Sequence, residues 1–416
     1  MKKNKINYTP QTAFYFFIFI ILINLSTVIY AGDAIIKNYN TQICIIVWLC
    51  SIYLYYLLNN AFILILPILL FVLNEIIYVN FNLDIFDGQS RTSLWYDIIT
   101  IHMIKRGNNN TNLTEGVYLN NLYDENSLMS VEESSNISKV DSNHNKFKKF
   151  FIDLNIPTHE YSKIKILDIG CGNGDFIKYC KSIGITASGL SISEEQIKEL
   201  KKQGLDVYLG SYRELQNQFI GKYDIITCWG SLEHITNSYP CSKSGEKKAT
   251  QILSTMASHF KKYYKEDSEY KYLFNTTLHM NKNYCNDPII YINERCGGTW
   301  YFYDDPNNRI GKLIEKDGFK ELYGKDYTYH YYMATKIDKT HFGEPGKLNL
   351  IYLLIIIFGI FVNPFVLICV FCVINGCWMW QFDGKLHTKG NSDDCAFEFD
   401  RTKRPTTLIW SLNKLV

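Results

Sequence analysis

The sequence carries no excess of charge of either sign. Lysine and arginine number 43 against 41 aspartates and glutamates, a net +2. No whole-chain basic field exists to hold a phosphate backbone, so nucleic acid is not an expected partner. The 12 cysteines show no framework spacing, which argues against a disulfide scaffold and for free thiols in a reducing compartment. Cys369 and Cys372 form a C-x-x-C, but inside apolar sequence rather than beside a βαβ unit. They read as small hydrophobes, as do Cys44 and Cys50, and no metal site is expected. No internal repeat is visible.

What is present is a partition. The length of 416 residues allows two or three units. Charge concentrates between Lys105 and Lys347, and apolar residues crowd both ends. Residues 13–31 hold no charge over about the length that crosses a hydrocarbon core. Lys2, Lys3 and Lys5 precede them, so a signal peptide is the rival reading; the run is long for one and lacks a clean small-x-small cleavage site. Residues 43–58 and 61–79 follow, joined by Asn59 and Asn60. Residues 1–80 are therefore expected to be transmembrane, and residues 349–380 a second membrane hairpin bent at Asn363-Pro364. Positive charge on both sides of that hairpin returns the chain to one face. Three N-terminal spans would place Lys2–Lys5 on the opposite face from the globular region, so the two charge counts disagree on topology. A multi-pass membrane protein with its globular region in the cytosol is expected.

Residues 81–146 read as a helix, a polar linker and an N-terminal cap, and residues 381–416 as a polar tail. In "SLWYDIITIHMIKR", Leu94, Ile98, Ile101 and Ile104 recur at helical spacing. That helix either lies in a membrane interface or packs on the globular region.

Residues 147–340 carry the globular pattern. β-branched runs such as "KIKILDI" and "YDIITCW" alternate with helical stretches such as "SEEQIKELKKQ", which predicts βαβ units and a mostly parallel α/β sheet. "DDPNNRIGKLIEKDGF" reads as a late helix capped by Asp305 with Pro306 at its first position. Asp168 ends the first strand and Gly170-Cys171-Gly172-Asn173-Gly174 follows. A dinucleotide loop is G-x-G-x-x-G; the shorter G-x-G-x-G lets backbone approach a ligand without a pyrophosphate, and points the next helix at it. S-adenosylmethionine fits that spacing, and a plain β-turn-α corner is the alternative. Ser191 and Gln196 after the second strand, Ser211 and Tyr212 after the third, and Trp229 with Glu233 and His234 after the fourth all fall at the carboxyl ends of strands, where α/β sheets bind ligands.

Together "LDIGCGNGDF", "GLSISEEQ", "YRELQNQFIGKYDII", "GSLEHI" and "YHYYMAT" resemble the cyclopropane-fatty-acyl-phospholipid synthases and mycolic-acid methyltransferases, over about Thr114–Thr335. The apolar ends are not part of the likeness. The resemblance implies a class I methyltransferase fold and transfer of a methyl group from S-adenosylmethionine to a double bond in a membrane phospholipid acyl chain. The carbocation then loses a proton to a bound bicarbonate. It implies cofactor positions at Gly170, Gly172, Ser191, Gln196, Tyr212 and Trp229, and bicarbonate-orienting roles for Glu233 and Tyr331. The family's active-site histidine falls at Asn275, with His279 four residues on, and its bicarbonate-binding cysteine near Thr114–Glu115. These departures spare the cofactor positions and bear on bicarbonate, leaving open C- or O-methylation of another hydrophobic molecule, or a non-catalytic membrane binding protein that retains the fold.

Overall fold

The computed structural model describes residues 39–58, 60, 63, 66–81, 88–105, 114–234, 243–280, 309–337 and 406–416. Among the described residues α1 (Tyr39–Leu58), α2 (Leu66–Phe81) and α3 (Gly88–Lys105) come first. After a short helical turn at Val131–Ser135, α4 (Lys139–Leu154) leads into the sheet. Ser138 caps it by accepting from the Asp141 N–H, and it ends where Asn155 turns left-handed at φ 51°. Then β1 (Lys165–Ile169), α5 (Asp175–Ser182), β2 (Thr186–Ser191), α6 (Glu194–Lys202), β3 (Val207–Leu209) and β4 (Ile225–Trp229) alternate. The long α7 (Lys243–Tyr263), β5 (Tyr272–Met280), β6 (Phe319–Asp326), α8 (Thr328–Ile337) and β7 (Thr406–Leu415) complete the order.

These seven strands form one sheet in the order β3-β2-β1-β4-β5-β7-β6. Five pair in parallel, and β7 runs antiparallel between β5 and β6. The direction of crossover reverses between β1 and β4, and there the carboxyl ends of the strands open a crevice. β1 and β4 are buried almost throughout, as strands covered on both faces must be. α4 and α5 bury Phe147, Phe150, Phe151 and Phe176 on one face; α7 buries Leu253, Met256 and Phe260 on the other.

The sheet corrects the expected boundaries. Residues 406–415, read as part of a polar tail, are an inner strand whose Trp410 lies opposite Thr276 and Lys325. Trp410 is wholly buried and stacks on Tyr327 at 3.9 Å between ring centroids. Trp410→Ala is therefore expected to cost about 3–5 kcal/mol of stability, measured by denaturant unfolding. The late helix is also shorter than expected: it covers Ile310–Leu313 with Arg309 at its cap position. Asp305 and Pro306 lie outside the described residues.

The membrane expectation changes as well. Among the described residues no helix is long and apolar enough to cross a membrane. The 16 described residues of α2 rise about 24 Å, short of the ~30 Å hydrocarbon core. α1 opens on Tyr39-Asn40-Thr41-Gln42, so its apolar part has about the same reach. The proposed spans at 13–31 and 349–380, with Cys369 and Cys372, lie outside the described residues. α3 packs on the domain, burying Leu94 and Trp95.

Candidate active site

The crevice above β1 and β4 begins with the glycine loop. Gly170, Gly172 and Gly174 all have positive φ, at 74°, 52° and 75°, which side chains with a Cβ rarely adopt. A Cβ on Gly170 would stand 2.4 Å from Ser231 Cβ, whereas at Gly172 nothing lies within 4 Å. Gly170 thus serves packing, and Gly172 leaves open space over the crevice. The loop hands directly to α5 at Asp175, with Gly174 at its cap position.

Asp168 closes β1, buried and accepting from Thr227 Oγ1 at 2.9 Å; burial pushes its carboxyl up to about 7. At the end of β2, Ser191 Oγ donates to Gln196 Oε1 at 2.8 Å and accepts from the Ser193 N–H. The bond fixes which way the amide faces. Gln196 Nε2 is left buried with no hydrogen-bond partner among the described residues, as is Trp229 Nε1. Buried donors of this kind are rare unless a ligand or water takes them. Asp168, Gly170, Cys171, Gly172, Ser191, Gln196, Tyr212, Trp229 and His234 line one cleft of about 870 Å³, its mouth included. The aromatic wall at Trp229, with Phe147 and Phe176 at 5.5 and 5.2 Å between ring centroids, suits a sulfonium.

Four expected residues stand apart from the cleft wall. Gly174 packs against Leu200 and Leu205. Ser211 Oγ donates to Gln89 Oε1 at 2.8 Å and accepts from the Arg213 N–H, so it fastens α3 instead of facing the cleft. Glu233 and Tyr331 sit behind the wall and share a buried electrostatic cluster with Glu115 and Tyr96. Burial pushes the Glu233 carboxyl up to about 8, and Glu115 adds to the shift. Burial also pushes the Tyr331 phenol well up, with Glu233 and Glu115 contributing. Trp410 Nε1 donates to Glu115 Oε1 at 2.9 Å. Asn275 and His279 are buried in β5, hydrogen bonded to Thr277, and do not line the cleft.

Several cleft residues come from elements whose sequence gave no site signal. α3 closes one side with Thr92 and Tyr96. It is tied down by Ser93 Oγ donating to the Ile192 carbonyl and by Asp97, which accepts from Ser193 Oγ and the Glu195 N–H. His234 Nε2 and Tyr96 Oη meet at 2.7 Å, so His234 clamps α3 across the cleft. Thr114 and Lys146 complete the wall. Lys146 does have a sequence signature: it lies on the same helical stripe as Phe150 and Leu154, where a charge is out of place.

Residues 144–266 match a family model described as a methyltransferase domain. The chain carries a class I S-adenosylmethionine-dependent methyltransferase domain. Among curated proteins, it is 34% identical over 77 residues to the ubiquinone biosynthesis O-methyltransferase of Thiobacillus denitrificans, covering 17% of this chain and 33% of that protein. It is 28% identical over 109 residues to the enzyme of the same name from Aromatoleum aromaticum, covering 24% and 47%. The chain thus spans about a third to a half of the length of the curated relatives it matches. Among solved structures, the cyclopropane synthase MmaA2 from Mycobacterium tuberculosis superposes with a TM-score of 0.43 at 14% identity, over 80% of this chain and 100% of that one. A geranyl diphosphate methyltransferase in complex with S-adenosylmethionine gives 0.40 at 9% identity, over 74% and 99%. At such values no neighbour's substrate transfers to this chain. The methyltransferase domain uses S-adenosylmethionine, and the loop, Asp168, Gln196 and Trp229 form a cleft that fits it.

Proposed function

We propose that this chain is a lipid methyltransferase, with an unsaturated acyl chain as methyl acceptor and Glu233 as proton acceptor. The observation that carries the reading is the buried Glu233 carboxyl directly behind the Gly230–Ser231 wall of the cofactor cleft: a Cβ on Gly230 would stand 3.6 Å from Glu233 Oε1. The alkene π pair forms the new C–C bond as the S–CH3 bond breaks, S-adenosylhomocysteine leaves, and the cation surrenders a proton to the carboxylate. Such a step needs a base near its working pH and little water, and a carboxyl at about 8 buried among aromatic side chains meets both demands.

The lipid side of the reading is supported by α1 and α2. Ile46, Tyr53, Tyr56, Leu57, Leu69, Leu73 and Ile76 are exposed on them, and Glu75 is the one charged residue between 42 and 81. α1 packs against α2 and α3, and α3 forms the cleft wall. An acyl chain held at a lipid surface would meet the methyl donor beside that helix, and the exposed apolar residues suit partial immersion.

Bicarbonate is not required in this reading. Glu115 stands in the segment where the resembling family has its bicarbonate-binding cysteine, and Glu115 and Glu233 oppose each other's ionisation. A further anion there would be disfavoured. Turnover is expected to be unchanged, within about twofold, when bicarbonate is removed from a degassed assay; a loss of about tenfold would restore bicarbonate to the mechanism.

The deciding experiment is mass spectrometry of total lipids from cells expressing the chain and fed methyl-labelled methionine. Label in phospholipid acyl chains supports the reading. Label on a hydroxyl of an isoprenoid-tailed aromatic would favour the second reading, O-methylation, to which the names of the curated relatives point. A lipid extract without new label overturns both.

A further inference from the structure

Lys146 is fully buried, yet it carries an ammonium into the wall of the cofactor cleft. Removing such a charge from water costs several kcal/mol unless it is paired and hydrogen bonded. Among the described residues its hydrogen bond is to Thr114 Oγ1, and the ring faces of Phe147 and Trp229 stand 5.0 and 5.2 Å from Nζ. No carboxylate among the described residues bonds it directly, although Glu115, Asp168 and Asp175 all act on it through space. Two of those three, Asp168 and Asp175, bracket the glycine loop. Its partner Thr114 lies against Gly230, where a Cβ would stand 2.9 Å from Thr114 Cγ2, so the ammonium sits by the end of β4, in the wall it shares with the glycine loop.

S-adenosylmethionine ends in an amino acid, with an ammonium and a carboxylate on one carbon. Asp168 offers the cleft a buried acceptor with one oxygen occupied by Thr227. Lys146 offers donors of the opposite charge. We propose that Lys146 binds the α-carboxylate of the cofactor while Asp168 receives its α-ammonium, Thr114 holding the lysine in place. The proposal rests on the cofactor reading of this cleft and adds a residue that the loop motif does not contain. It also accounts for a cation so near a sulfonium: paired with the carboxylate, the lysine no longer repels the positive sulfur. Burial lowers the Lys146 ammonium to about 8. A bound carboxylate favours the charged form, so at pH 8 ligand binding draws a proton from the buffer.

The test uses the full chain and two non-reactive probes, S-adenosylhomocysteine and its decarboxylated counterpart, which differ only at the carboxylate. Wild type is expected to prefer S-adenosylhomocysteine by about 10- to 100-fold, the scale of a charge-assisted bond. Calorimetry in buffers of different ionisation enthalpy is expected to show proton uptake with that probe alone. Lys146→Met is expected to lose about tenfold or more for S-adenosylhomocysteine and less than twofold for the decarboxylated probe. Lys146→Arg is expected to retain the preference. Lys146→Met that keeps the preference, or weakens both probes equally, overturns the assignment. The wild-type measurement needs no variant: binding both probes alike sinks this inference alone, and binding neither sinks the cofactor cleft with it.

Discussion

Glu233→Gln is expected to lower turnover by about 10²-fold or more while S-adenosylhomocysteine binds within about twofold of wild type. The substitution keeps the shape and removes the charge. Glu233 stands behind the cleft wall and makes no part of it, so cofactor affinity has no reason to move. The acceptor's proton, in contrast, loses its destination. pH provides a second reading of the same role. The base must be ionised, and burial holds the carboxyl up near 8, so wild-type kcat is expected to rise with pH through that value, a rise absent from Glu233→Gln. Stability moves the other way. The folded carboxyl binds its proton more tightly than the unfolded one, from 4.5 to about 8, so its contribution is full below 4.5 and is lost as pH rises through about 8. The wild-type melting temperature should fall across that window relative to Glu233→Gln. A variant with reduced cofactor affinity would make Glu233 part of the ligand pocket instead. Full activity would remove it from the reaction.

The cofactor cleft was legible where the chain's local geometry makes the demand. Three glycines after a buried strand can only be read as a turn needing positive φ, and each has it. Ser191 and Gln196 stand five apart because the strand end must meet the first turn of α6, and there they bond. Ser211 was misread for a related reason. A hydroxyl past a strand end looks like a ligand group, but its partner, Gln89, lies 122 residues away on a helix that no motif ties to the site. Thr92 and Tyr96 carry no local signal on the same account. β7 was hidden by sequence distance: "TTLIWSLNKL" follows β6 after about 80 intervening residues and carries only moderate hydrophobic alternation. Its pairing with both β5 and β6 is a long-range event that a local pattern does not encode. Lys146 was visible as a charge on an apolar stripe, a conflict between local pattern and global packing of the kind that marks function.

Gly172→Val is expected to raise the dissociation constant for S-adenosylhomocysteine by about 10²-fold or more while the protein stays folded. Ligand sites of this type lose affinity when a branched side chain occupies the volume the ligand needs. Gly172 lines the cleft, and the position of its missing Cβ is clear of protein for 4 Å. A valine there displaces ligand and not core. It does carry backbone strain, since φ is 52°; about 1–2 kcal/mol is expected for a β-branched residue in that region, small against the ~5–15 kcal/mol that holds a domain together. Gly170 is the control. Its φ is also positive, but its Cβ would collide with Ser231, whose Oγ donates to the Ile169 carbonyl and so ties the turn after β4 to the end of β1. Gly170→Val should therefore show its defect in thermal melting, and Gly172→Val in calorimetric titration of the ligand. The two glycines are two residues apart with similar backbone, so backbone strain alone would affect both alike; the contrast isolates the ligand's share. A folded Gly172→Val protein with wild-type affinity would place the cofactor elsewhere and leave the loop a structural corner.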